Sequence, residues 1–103
     1  MSDTLNIRPQ DLAEIRTILA TYLPPEAHVV VFGSRANGRV HRASDLDLAV
    51  DAARPLTFDE MTAINAAFED SNLPYTVDVV DLHRIDPGFR AVLDRTLKKE
   101  IFP

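Results

Sequence analysis

The sequence predicts a two-layer α+β domain, in which a small sheet of three to four strands is covered by helices. Three observations carry that expectation. Stretches with apolar residues at helical spacing flank and separate short runs rich in β-branched residues. Proline and capping residues stand where those helices would begin or stop. The chain has 103 residues, enough for one domain with one core, so we read residues 1–103 as a single unit.

The elements follow in order. Pro9 suits the first turn of a helix, where its missing N–H costs nothing, and Leu12, Ile15, Leu19 and Tyr22 follow at helical spacing until Pro24-Pro25. Val29-Val30-Val31-Phe32 reads as a buried central strand ending at Gly33. Asp45-Leu46-Asp47-Leu48-Ala49-Val50 alternates with period two and predicts a second strand. Thr57 and Glu60 fit a capping box, with Leu56 and Met61 as its hydrophobic staple, ahead of a helix whose stripe is Met61, Ile64 and Phe68. Tyr75 to Val80 predicts the third strand. Asp86 as N-cap and Pro87 at N1 open a last helix, with Phe89, Val92, Leu93 and Leu97 as its buried face and Lys98-Lys99 at its end. Ile101-Phe102 adds at most an edge strand.

Composition narrows the function classes. Hydrophobic residues make up 46% and charged residues 26%, which are globular values and argue against disorder. The absence of cysteine removes disulfides, thiolate nucleophiles and zinc–thiolate sites together. No apolar run approaches the ~18 residues of a membrane span. The start, Met1-Ser2-Asp3-Thr4, lacks a signal-peptide pattern, so the expected compartment is the cytoplasm. With 11 Lys+Arg against 16 Asp+Glu the net charge is −5, which argues against direct non-specific binding of nucleic acid but leaves room for a nucleotide held through a metal ion.

Aspartate is depleted in strands, yet Asp45, Asp47 and Asp78 fall within two predicted strands. Residues i and i+2 share a strand face, so Asp45 and Asp47 project together while Leu46, Leu48 and Val50 face the core. If the third strand lies beside the second, Asp78 completes a group of three. Two carboxylates ~4 Å apart repel by about 1 kcal/mol in water and about 4 kcal/mol near a protein surface, a conflict that a divalent cation removes. A single Asp-x-Asp in an acidic protein is more often a solvated strand face, so this pair counts only in combination. Asp81 falls on the opposite face from Asp78, which is the better third ligand.

Gly33-Ser34-Arg35 leaves the first strand, with Gly38 close behind. Such a turn points backbone N–H groups outward and can bind a phosphate, with Ser34 donating and Arg35 adding charge. It is neither a P-loop nor a Rossmann fingerprint. The composite is more specific than its parts: Asp45 lies 11 residues after Ser34, and Asp78 lies 31 after Asp47.

Gly33-Ser34-Arg35-Ala36-Asn37-Gly38, Ser44-Asp45-Leu46-Asp47-Leu48 and Val77-Asp78-Val79-Val80 together resemble the nucleotidyltransferase superfamily of the DNA polymerase β-like fold, and the length resembles its minimal nucleotidyltransferases (MNT). The resemblance implies a mixed sheet. It implies that Asp45, Asp47 and Asp78 hold two Mg²⁺ ions, with Asp78 also helping to activate the attacking hydroxyl. It implies that Gly33, Ser34 and Arg35 cradle the triphosphate of ATP. Asn37 departs from the family, which often has a basic residue there.

The implied reaction is attack of a hydroxyl on the α-phosphorus of a nucleoside triphosphate. The core uses nearly all of the chain, so a separate protein is expected to supply the acceptor. The resemblance implies an antitoxin that transfers AMP to a tyrosine of a HEPN-domain toxin in a hetero-oligomer. Three alternatives stand beside it. One is a binding subunit that neutralises its partner by occlusion. Another is a nucleotidyltransferase with a small-molecule or RNA acceptor. The third is a phosphatase with an Asp-x-Asp nucleophile, disfavoured because Leu48-Ala49-Val50 follow the pair rather than precede it. His28, His41 and His83 are too scattered for a metal triad.

Overall fold

The computed structural model of the protein describes residues 7–32, 46–95 and 98–103. Its elements run α1 (Pro9–Tyr22), β1 (His28–Phe32), β2 (Leu46–Asp51), α2 (Phe58–Glu69), β3 (Val77–Asp81), α3 (Pro87–Arg95) and β4 (Lys98–Phe102). The strands form one sheet in the order β3-β2-β1-β4. β1 is antiparallel to both neighbours, and β2 is parallel to β3, so the sheet is mixed as expected. A parallel neighbour cannot be reached by a hairpin, and α2 makes the crossover between β2 and β3.

One face of the sheet carries the core. Val29, Val31, Leu46, Leu48, Val50 and Ile101 pack with Ile15 and Leu19 of α1 and with Ile64 and Phe68 of α2. α1 begins at Pro9 and is tied down at its start by Asp11, a buried carboxylate that takes both arms of the Arg8 guanidinium at 3.0 Å. Arg16 Nε donates to the Ile101 carbonyl at 2.8 Å, fastening α1 to β4. α2 shows the full capping box: Glu60 N–H donates to Thr57 Oγ1 and Thr57 N–H to Glu60 Oε1. Leu56 and Met61 both join the core, as the staple requires. The turn after β2 holds Ala53 at φ 65°, where its N–H donates to Asp51 Oδ1.

α3 lies against the other face. Asp86 caps it, accepting from Phe89 N–H at 2.7 Å. The Phe89 ring meets Phe32 edge-on at a centroid distance of 6.4 Å. Phe32 alternates with the core residue Val31 and so projects to the side away from α1 and α2.

Two expectations are corrected here. Lys98 and Lys99 are not the end of the last helix but the start of β4, because the chain turns back to cover the free edge of β1. Lys98 Nζ still reaches the helix end, donating to the Leu93 and Asp94 carbonyls, where a positive charge suits the helix dipole. Phe89 and Val92 were expected in the buried face of α3, yet they are 38% and 48% exposed and only Leu93 is buried there. Among the described residues the buried core cluster is built on α1, α2 and the sheet face they cover, so it does not enclose these two side chains of the nine-residue α3. Leu97 lies outside the described residues. No helix among the described residues is long and apolar enough to cross a membrane.

Candidate active site

The register of the sheet brings two of the three strand aspartates together. Asp47 of β2 is the Cα partner of Asp78 of β3. Partners in adjacent strands share a face about 4.8 Å apart, so both carboxylates leave the same side of the sheet. Leu46, Leu48 and Val50 alternate with Asp47 and are fully buried on the opposite side. Asp47 is half-buried in the second strand of the sheet, and Asp78 is exposed on its edge strand. A groove of about 550 Å³ beside β3, lined among others by Phe68, Leu73, Tyr75 and Val79, has Asp78 at its side. A bulky molecule can therefore approach Asp78 from the edge.

The same row continues across the sheet. Asp47 is also the partner of Phe32, and Phe32 is the partner of Lys98. Lys98, Phe32, Asp47 and Asp78 thus form one rank on the α3 side of the sheet, at the end where β1 finishes and β2 and β3 begin. The Gly33-Ser34-Arg35 stretch follows Phe32 directly in the chain. Gly33, Ser34, Arg35 and Asp45 themselves lie outside the described residues, as do Asn37, Gly38 and His41.

Asp81 sits three residues beyond Asp78 and faces the other way, 3% exposed. Its Oδ2 accepts from Leu56 N–H at 2.7 Å and its Oδ1 from His83 N–H at 2.9 Å, with Arg84 Nε at 3.6 Å. It is a structural acid that fixes the connections into α2 and out of β3. Asp51 shares the face of Asp47 but stands at the far end of β2, bonded to His83 Nε2 at 2.7 Å. That hydrogen bond and the Ala53 N–H hold its carboxyl below the usual range. His28 pairs with Glu100 at 2.7 Å on the surface.

Among the described residues no group of three or more His, Cys, Asp or Glu is gathered tightly enough to hold a metal ion. The Asp47–Asp78 pair supplies two carboxylates in register, and Asp45, two positions from Asp47, is the remaining candidate. An all-oxygen, anionic donor set of this kind suits a hard cation such as Mg²⁺ rather than a soft one. Sequence reasoning missed the aromatic side of this rank. Its signal is alternation: Phe32 is one residue out of phase with the buried Val31, so it belongs to the face of the aspartates.

Comparison with known proteins points the same way. Residues 13–100 match the family described as "Polymerase beta, Nucleotidyltransferase". A probable protein adenylyltransferase, MntA of Haemophilus influenzae, is 38% identical over 89 residues, covering 86% of this chain and 77% of the relative. Among solved structures, a toxin–antitoxin complex with AMP-PNP superposes with a TM-score of 0.71 at 28% identity, covering 89% of this chain and 73% of the other. A mutant MntA–HpeT toxin–antitoxin complex, with two aspartates two positions apart changed to glutamate, gives 0.71 at 26% identity, covering 88% and 72%.

Proposed function

The chain belongs to the polymerase β-type nucleotidyltransferase family, and from that premise we propose that it transfers AMP from ATP to a hydroxyl of a partner toxin and so serves as an antitoxin. The observation that carries this is the in-register pairing of Asp47 on β2 with Asp78 on the edge strand β3, in the same rank as Phe32, which the Gly33-Ser34-Arg35 stretch follows in the chain. The relative MntA, a probable protein adenylyltransferase, and the solved toxin–antitoxin complexes support the reaction class and the kind of partner. The spacing of Asp45 and Asp47 equals that of the aspartate pair changed in the mutant complex.

Asp45, Asp47 and Asp78 are the residues that would hold two Mg²⁺ ions. When bound, the ions would neutralise phosphate charge and favour ionisation of the attacking hydroxyl. Gly33 admits the triphosphate close to the backbone, while Ser34 and Arg35 donate to its oxygens. The acceptor oxygen attacks the α-phosphorus, the bond from that phosphorus to the bridging oxygen breaks, and pyrophosphate leaves with the electron pair. Asp78, exposed at the edge, takes up the hydroxyl proton. Catalysis here is positioning and charge neutralisation, so an acidic chain can perform it. The acceptor in our reading is a tyrosine of a HEPN-type toxin, and the setting is the cytoplasm.

The test mixes the protein with Mg²⁺, ATP labelled at the α-phosphate and the product of the adjacent gene. Label on that partner, lost with Asp47→Asn, is the expected result. A partner that is bound yet never labelled would overturn the transfer reading. An Asp47→Asn protein that still neutralises its toxin would mean that occlusion, not chemistry, is the mode of action.

A further inference from the structure

We infer that the exposed ring of Phe89, backed by Phe32, is the surface on which the base of the nucleoside triphosphate stacks. The inference rests on the nucleotidyltransferase reading above and adds a base-binding subsite to it. Among the described residues three aromatic side chains are conspicuously exposed: Tyr22, Phe58 and Phe89. Tyr22 and Phe58 belong to α1 and α2, which cover the core face. Phe89 alone stands on the face of Asp47 and Asp78, because the ring it touches, Phe32, is the cross-strand partner of Asp47.

The position is held from two sides. Phe89 is in the first turn of α3, where its N–H is fixed by the Asp86 carboxylate at 2.7 Å. Its ring is braced by Phe32 in an edge-to-face contact, with the planes at 72°. A braced aromatic loses little freedom when a second ring lies on it, which is the property of a stacking platform. Val92, one turn further along α3 and 48% exposed, extends the same apolar surface. Such a surface accepts the flat face of any base, and a purine offers it more area than a pyrimidine. The departure from expectation has a reason on this reading: a ring whose spacing suits a buried stripe is left open because a ligand covers it.

The experiment compares binding of ATP and of inorganic tripolyphosphate, each with Mg²⁺, by calorimetry. Phe89→Ala is expected to weaken ATP binding about tenfold, the range of base–aromatic stacking measured by alanine substitution. Tripolyphosphate, which has no base, is expected to bind wild type and variant alike, and Phe89→Tyr is expected to retain ATP affinity. Equal losses for both ligands, or no loss for ATP, would overturn the subsite. Failure of wild type to bind either ligand would instead bring down the nucleotidyltransferase reading, and this inference with it. The chain has no tryptophan, so Phe89→Trp gives a single tryptophan, excited apart from the two tyrosines, that serves even where the alanine variant folds poorly. ATP should quench it and tripolyphosphate should not, and an emission indifferent to ATP counts against the proposal.

Discussion

Two aspartates three residues apart on one strand show how environment sets role. Asp78 is exposed on the active face, in register with Asp47, and makes no contribution to the core. Asp81 is buried and serves two backbone N–H groups, those of Leu56 and His83. Asp78→Asn is therefore expected to lower AMP transfer at least about 100-fold, since a neutral amide can neither balance a cation's charge nor take up the hydroxyl proton. Its unfolding free energy from urea titration should stay within about 0.5 kcal/mol of wild type, as for other surface changes. Asp81→Ala should do the reverse. Leaving the buried Leu56 N–H and the part-buried His83 N–H without their acceptor costs about 2–4 kcal/mol in a urea titration. ATP binding by the folded fraction should persist. A kinetic loss for Asp81→Ala matching that for Asp78→Asn would show that the two residues are not divided in this way.

At the level of elements, α2 was the most legible, because its start is written in residues with local chemistry. Thr57 and Glu60 close the capping box, and Arg54 reaches Glu60 with both arms at 2.7 and 2.8 Å. Thr57→Ala should cost about 1 kcal/mol of stability, read from thermal or urea unfolding. The Arg54 fork, with the Thr57 N–H, lowers the Glu60 carboxyl from 4.5 to about 2. A carboxylate whose pKa is lower folded than unfolded stabilises fully above the unfolded value and loses its effect as pH falls through the folded one. The gap between wild type and Glu60→Gln in urea midpoint should thus be widest above pH 4.5, narrow between 4.5 and 2, and close below that. α3 and β4 were less legible. Lys98 and Lys99 look like a helix end, and Lys98 does bind the helix's last carbonyls, but from the following strand. Periodicity could not show that α3 lies on the face away from the described core, so it places Phe89 and Val92 inside.

On the scale of the whole molecule, the division of the two sheet faces explains why catalysis and core do not compete. Every strand that carries an active-face residue carries core residues in alternation, so the apolar cluster beneath fixes the rank of Phe32, Asp47 and Asp78. The pairings of β2 with β3 and of β1 with β2 are what the sequence could not supply for this rank. Alternation told which way each aspartate points along its own strand, but neighbourhood depends on strand order. Among the described residues that order leaves β3 at an edge, where a large acceptor can reach Asp78 beside the groove without disturbing the core. Binding of a partner and transfer to it should therefore separate. Removing Mg²⁺ with EDTA is expected to stop labelling of the partner by ATP, because the carboxylates would then repel the triphosphate instead of meeting it through cations. The complex itself should survive, since contacts over a protein surface do not pass through those ions, and size-exclusion chromatography with light scattering reads this directly. Labelling that continues in EDTA would remove the metal from the mechanism. A complex that falls apart in EDTA would make the metal site part of the interface.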